Sequence, residues 1–322
     1  MRSLQVTALE GPSSVAVQEI PDATARDGEV LVEVKAVGIS WPDLLQTKGQ
    51  YQIKPELPFQ LGVDFAGVVR SAPADSGFSE GDRVACVMAY GGGADLVSVN
   101  PDAVFPLPDS MSFTQGAAMP MNYLTVEFAL SARAGLQSGD TLLVNGAAGG
   151  VGTAAIQVGK GLGLRVIAVV STPEKAEFAK TAGADEAILV EGFLEATKEL
   201  TGGRGVDAVL DVVGEPFVTD NLRALAPFGR LLIVGFTGGQ IPAVKVNRLL
   251  LNNVDVRGVG WGAYTMGRAG YMRAQWDRLI PMMDAGAINP PIGATYDLDH
   301  VVDALVEMEE RRTLGKSVIV FD

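Results

Sequence analysis

The run Leu142-Leu143-Val144-Asn145-Gly146-Ala147-Ala148-Gly149-Gly150-Val151-Gly152 constrains this chain more than any other stretch. A short apolar segment passes through small residues into a helix-compatible one. That is the strand, tight turn and helix start of a dinucleotide-binding βαβ unit. At the usual glycine offsets stand Ala147, Gly149 and Gly152, an A-x-G-x-x-G pattern. The first position needs a small residue for the turn. Gly149 lets backbone approach a pyrophosphate, and Gly152 lets the helix lie close on the strand. Unpaired N–H groups at the helix start then face the phosphates with a partial positive charge. Asn145, Ala148, Gly150 and Val151 complete the candidate cofactor turn. The same residues would also serve a bare strand-to-helix connection, so the surroundings decide. The helix pattern over 150–162 puts Val151, Ala155, Ile156 and Val158 toward one side, and Gly161-Leu162-Gly163 can stop it. A second buried strand, Leu164 to Val170, closes a β-α-β of about the expected ~30 residues.

The tip of that second strand discriminates between cofactors. NAD sites usually place Asp or Glu there to accept from the ribose 2′-OH. Here the chain reads Val169-Val170-Ser171-Thr172-Pro173-Glu174-Lys175, with no acid at the tip. Ser171, Thr172 and then Lys175 suit a 2′-phosphate, which favours NADPH over NADH. Ser171-Thr172-Pro173-Glu174 is equally an ordinary capped helix start. Val190, not an aromatic residue, stands at the end of the third strand.

Composition narrows the class. With 322 residues the chain is long for one domain and natural for two. A net charge of −13 argues against nucleic acid or an anionic membrane as partner. No apolar run reaches the ~18 residues of a membrane span. Met1-Arg2-Ser3-Leu4-Gln5 enters a strand pattern directly, without a signal peptide, and the single Cys86 fits a reducing compartment. A cytoplasmic location is therefore expected.

Periodicity organises the rest. Residues 1 to about 120 read as β-rich: Val30, Val32, Val34 and Ala36 alternate with Leu31, Glu33 and Lys35. After Asn122 strands and helices alternate. Strands are expected at 141–145, 165–170, 187–190, 207–212, 230–235 and 254–259. Helices are expected near 123–134, 150–162, 173–181, 192–201, 216–226 and 265–286. This is an α/β doubly wound parallel sheet of the Rossmann kind. A final helix near 299–310 and a strand over 316–321 return to the first domain.

Several motifs together carry a resemblance. They are Gly38-Ile39-Ser40-Trp41-Pro42-Asp43, Gly62-Val63-Asp64-Phe65-Ala66-Gly67-Val68-Val69 and Gly81-Asp82-Arg83-Val84. The glycine turn, Val206-Asp207-Ala208-Val209-Leu210-Asp211-Val212-Val213-Gly214 and Trp261-Gly262-Ala263-Tyr264 continue the series. In this order the chain resembles the zinc-free medium-chain dehydrogenases/reductases of the quinone oxidoreductase (zeta-crystallin-like) group. The resemblance implies a β-rich GroES-like catalytic domain over 1–122 and 264–322, and a Rossmann dinucleotide-binding domain over 123–263. It also implies further cofactor contacts at Val213, Gly214, Gly235, Phe236, Trp261 and Gly262. Resembling proteins dimerise by joining cofactor-domain sheets edge to edge, so a homodimer through the strand 254–259 is expected.

The metal ligands of related zinc enzymes are missing. Gly62-Val63-Asp64 stands where they carry G-H-E, and one Cys (Cys86) with one His (His300) cannot assemble a zinc site. Without a Lewis acid, alcohol oxidation loses its means of stabilising an alkoxide. Hydride transfer from NADPH to a quinone or similar small-molecule acceptor needs none. Reduction of an activated C=C, in enoyl or alkenal compounds, and a low-turnover NADPH-binding role stand as alternatives. Resembling proteins place Asn, Asp and Tyr around the acceptor. Here the positions hold Ser40, which departs from that pattern, Asp43 and Tyr51. Asp43 reads either as catalytic or as the cap of a helix at 42–47. Tyr51 is either a hydrogen-bond donor to a developing oxyanion or a surface loop aromatic. Asp64 reads as a buried structural carboxylate, with Arg83 its possible partner.

Overall fold

The computed structural model describes residues 1–321, which fall into two compact units. One comprises Met1–Asn122, Ala269–Ile280 and Asn289–Asp322. The other comprises Tyr123–Arg268 and Pro281–Ile288. The return to the first unit thus falls at 269, five residues beyond the expected 264, and residues 281–288 go with the second.

The second unit is built on six parallel strands. In spatial order they are Glu186–Leu189, Arg165–Val170, Thr141–Asn145, Val206–Asp211, Leu225–Ile233 and Asp255–Gly258. This 3-2-1-4-5-6 order is the doubly wound arrangement, with the chain reversing direction across the sheet next to Thr141–Asn145. All five residues of that central strand are buried, as a strand covered on both faces requires. The following helix, Gly150–Gly161, packs its small residues inward, and a side chain at Gly161 would collide with Met282 Sδ at 2.6 Å.

The first unit holds a seven-stranded sheet and a three-stranded one. The larger runs Ile292–Tyr296, Lys316–Val320, Val30–Gly38, Asp64–Ser71, Arg83–Val87 and Val104–Pro106, and Leu96–Val99 also pairs with Val30–Gly38. Its core gathers Val32, Val34, Phe65, Val84, Cys86 and Ile319. Trp276 stacks on Phe105 at 4.9 Å between ring centroids, and its indole N–H donates to the Pro106 carbonyl at 2.9 Å.

Four elements differ from the periodicity. The expected helix 123–134 is Pro120–Glu127 followed by a π-helical stretch, Phe128–Ala134, that ends on left-handed Gly135. The single helix expected over 265–286 is two, Trp261–Thr265 and Tyr271–Asp284, because Gly267 and Gly270 take φ +72° and +73° between them. The strand expected at 230–235 begins at Leu225 and bulges, with Val206 facing Leu225 but Ala208 facing Arg230. A short helix, Asn247–Asn252, was not foreseen.

Candidate active site

In the second unit the glycine turn is cut to a cofactor's shape. Gly146 adopts φ +66°, and a Cβ there would lie 2.8 Å from Val212 Cγ2. A Cβ on Gly152 would sit 2.3 Å from the Gly146 carbonyl oxygen, so only glycine lets the helix approach the turn. Gly149 caps the helix with extended backbone, and a Cβ there would meet only the Gly146 oxygen at 3.6 Å. Close contact on the strand side and open space on the other is the cradle that a pyrophosphate fits. Asn145, Ala147, Ala148 and Gly152 are buried and shape this turn, while Gly149, Gly150 and Val151 are half-exposed on it.

Asn145 also ties the turn to the loop beyond the fourth strand. Its Nδ2 donates to Asn221 Oδ1 at 2.8 Å, and Asn221 Nδ2 donates to Asp211 Oδ2 at 3.1 Å. Asp211 Oδ1 accepts from the backbone N–H groups of Val213 and Gly214, at 2.8 and 3.2 Å. Burial pushes the Asp211 carboxyl up, against the pull of these donors. Asn145 Oδ1 is a buried acceptor left without a partner. Gly214 takes φ +83° with the Phe236 ring 3.3 Å from where its Cβ would be, and Gly235 precedes that ring. Trp261 is buried at the start of its helix and Gly262 is exposed beside it.

At the tip of the second strand the helix-cap reading and the phosphate reading coexist. Thr172 caps Pro173–Thr181, its Oγ1 accepting from Lys175 N at 3.3 Å. That bond uses a lone pair and leaves the O–H able to donate. Ser171 and Thr172 are exposed, and no carboxylate stands at Val170, Ser171 or Thr172. Val190 N donates to the Val170 carbonyl, which fixes the neighbouring strand end without supplying an aromatic.

The residues expected on the acceptor side, Ser40, Asp43 and Tyr51, lie in the first unit. Ser40 and Asp43 form a capping box at the start of helix Trp41–Thr47, where Ser40 N donates to Asp43 Oδ2 at 2.8 Å. Asp43 Oδ1 accepts from Gly62 N and Val63 N, both at 3.1 Å, so one carboxylate ties the helix start to the loop before strand Asp64–Ser71. Asp43 is fully buried, and burial pushes its carboxyl up to about 7 despite these donors. The half-buried Tyr51 has its phenol pushed up by desolvation and then by the charge of Asp43, so it stays a neutral donor at working pH.

Asp64 is indeed buried, but its partner is not Arg83. Across the sheet Asp64 pairs with Gly38 on one side and Val87 on the other, while Arg83 lies opposite Val68. Arg83 instead donates to the carbonyls of Pro108 and Met111. Lys316 takes the place foreseen for Arg83, donating from Nζ to Asp64 Oδ2 at 2.9 Å and to Ser40 Oγ. Nothing in the apolar pattern Lys316-Ser317-Val318-Ile319-Val320 marked its lysine as buried. Only the strand pairing, with Val318 opposite Gly38, shows that Lys316 meets the end of Val30–Gly38.

The residues do not fit a zinc centre. Cys86 is buried in strand Arg83–Val87 with its thiol pushed well up by burial, and His300 is exposed against Asp297. Among the described residues no three His, Cys, Asp or Glu side chains form a metal-binding group.

A doubly wound cofactor sheet and a GroES-like β unit define a medium-chain dehydrogenase/reductase. Residues 26–109 match the alcohol dehydrogenase GroES-like domain, and residues 150–284 match the zinc-binding dehydrogenase family. Quinone oxidoreductase-like protein 2 of Bos taurus is 35% identical over 309 residues, covering 95% of this chain and 88% of its own. A probable oxidoreductase from Mycobacterium abscessus superposes with a TM-score of 0.92 at 41% identity, over 100% of this chain and 99% of its own. Escherichia coli quinone oxidoreductase, solved complexed with NADPH, superposes with a TM-score of 0.90 at 29% identity over 100% of both chains. The chain belongs to the quinone oxidoreductase-like family and is an oxidoreductase.

Proposed function

We propose that this protein is an NADPH-dependent, zinc-independent reductase of quinones or similarly electron-poor acceptors. The cradle at Gly146, Gly149 and Gly152, followed by an acid-free strand tip, carries the reading. When bound, NADPH supplies a hydride to the acceptor. Backbone N–H groups of Gly150 and Val151 at the helix start would hold the pyrophosphate, while the Gly149 N–H closes the turn onto the Gly146 carbonyl. Hydroxyls of Ser171 and Thr172 donate to the 2′-phosphate, and Lys175 adds a charge-assisted contact. Val213, Gly214, Gly235, Phe236, Trp261 and Gly262 line the rest of the cofactor path. On the acceptor side Tyr51 donates its O–H toward the oxygen that gains negative charge. Asp43 holds the Ser40 end of its helix in place through backbone contacts rather than reacting itself. Escherichia coli quinone oxidoreductase binds NADPH on the same fold, which supports the cofactor assignment.

We also propose a homodimer joined through the sheet edge Asp255–Gly258. The segment leading into it exposes Ile241, Val246, Leu250 and Leu251, each more than 70% accessible. A row of exposed apolar side chains beside an open strand edge is costly for a monomer in water. No helix among the described residues is long and apolar enough to cross a membrane.

The cofactor assignment is tested by titrating NADPH and NADH into the parent and into Lys175→Ala. Tighter binding of NADPH is expected in the parent. The variant should lose roughly 1–3 kcal/mol, about fivefold to 150-fold, for NADPH and almost nothing for NADH. Equal affinities in the parent would sink the assignment.

A further inference from the structure

Three neighbouring strands of the first unit converge on one buried ionic group. Lys316–Val320 runs antiparallel to Val30–Gly38 with Val318 opposite Gly38, so the register carried two residues on sets Lys316 opposite Ser40. Val30–Gly38 in turn sets Gly38 opposite Asp64. Lys316 is 3% exposed and Asp64 wholly buried. The stem of Lys316 passes over Gly38, where a Cβ would lie 2.8 Å from Lys316 Cε and 2.1 Å from the Ala117 carbonyl oxygen. The ammonium donates to Ser40 Oγ and Asp64 Oδ2, Ser40 Oγ donates to Asp64 Oδ2 at 2.7 Å, and Met121 N satisfies Asp64 Oδ1 at 2.8 Å.

We propose that Lys316 is a positioning residue for the reduction, acting through Ser40. This rests on the reading of Ser40 as an acceptor-side residue. A lone Asp64 carboxylate would hold the Ser40 proton and repel the negative charge that develops on an acceptor oxygen. Lys316 cancels that charge. Its donation to Ser40 Oγ also polarises the hydroxyl, because a hydroxyl that accepts a strong hydrogen bond becomes a better donor. The Ser40 O–H can then turn from Asp64 to the acceptor oxygen while Lys316 keeps Asp64 satisfied. A buried ion pair is seldom retained for stability alone, since an apolar pair of like size is often as stable. Here the pair also holds the Ser40 hydroxyl at the helix start, through both its donor and its acceptor side. Asp43 is within electrostatic reach of both charges, its carboxyl drawn down by Lys316 and pushed up by Asp64.

The test compares the parent with Ser40→Ala, the charge-neutral pair Asp64→Asn/Lys316→Met, and the triple variant, each with NADPH and both a simple quinone and an enone. Folding is read from circular dichroism and cofactor affinity from NADPH fluorescence. The expected result for the neutral pair is a parental fold and NADPH affinity with kcat on the enone lowered tenfold or more. Ser40→Ala should lower kcat similarly, and adding the neutral pair should change it less than twofold further. Parental kcat in either variant overturns the proposal. So do independent, multiplicative losses, which would show that Lys316 does not act through Ser40. Should the neutral pair fail to fold, Lys316→Arg, which keeps the charge, replaces it and must retain kcat within about threefold; a larger loss with the fold intact overturns the proposal. A parent that binds NADPH yet reduces neither acceptor overturns the enzyme reading itself, and this inference with it.

Discussion

Asp43 connects burial to pH more directly than any other side chain here. Its carboxyl rises to about 7 in the fold from the 3.8 of a free aspartate. Between those two values the folded protein holds a proton that the unfolded chain has released. Stability from this group is therefore greatest at the acid end and falls as pH rises to about 7, by up to roughly 1.4 kcal/mol per pH unit. Above that it is level. Asp43→Asn removes the dependence. Urea unfolding of parent and variant from pH 5 to 8.5 should show a stability difference that changes up to about pH 7 and then stays constant. A difference flat across the whole range would contradict the assignment. Tyr51 is argued from the same neighbourhood, since the Asp43 charge reaches its phenol. Tyr51→Phe should lower kcat by about a hundredfold with an enone, whose enolate is basic, and less with a quinone. A change confined to KM would instead assign it a shaping role. At this scale the sequence was read unevenly. A helix start near Asp43 was legible from local spacing, but the cap itself is Ser40, with Asp43 three residues on closing the box. Lys316 was not, because a lysine at the start of an apolar strand looks like a solvated end until its pairing with Val30–Gly38 is known. The Asp64–Arg83 partnership failed for the same reason: register, not proximity in the motifs, put Arg83 beside Val68.

The elements of the cofactor unit were legible because each strand is a buried apolar run and each turn is marked by glycine. Thr141–Asn145, Gly150–Gly161, Arg165–Val170 and Pro173–Thr181 fall within a residue of expectation. Failures cluster where backbone conformation overrides periodicity. Gly267 and Gly270 break one apolar stretch into two helices, and left-handed Phe228 lies within the bulge of Leu225–Ile233. The outermost strand carries the prediction that belongs to this scale. Asp255–Gly258 pairs with Leu225–Ile233 on one side, and exposed Leu250 and Leu251 stand just before it in the chain. Light scattering at micromolar concentration should give the mass of a homodimer, and Leu250→Glu/Leu251→Glu should shift it toward monomer with the fold retained. A parent of monomer mass would refute the edge-to-edge assembly.

Across the whole chain, the division into a β-rich unit and a doubly wound unit was legible because the two have different periods, two-residue alternation against buried runs separated by helices. The exact return of the chain to the first unit was not, since residues 265–288 are helical on both sides of the change. Family membership agrees with the motifs that suggested it, and the scarcity of thiolate and imidazole ligands is what supports the proposed hydride transfer onto an acceptor that needs no Lewis acid. The acceptor itself is the part that motifs leave open, because the side chains proposed to meet it, Tyr51 and Ser40, merely match or depart from the family pattern. The most direct test of this account is the rate of NADPH oxidation, followed at its nicotinamide absorbance, with a simple benzoquinone in the presence of a strong chelator. Rapid oxidation that is slower with NADH and unaffected by the chelator is the result expected. Protein that binds NADPH but leaves it unoxidised by the quinone, or whose turnover is abolished by the chelator, would contradict it.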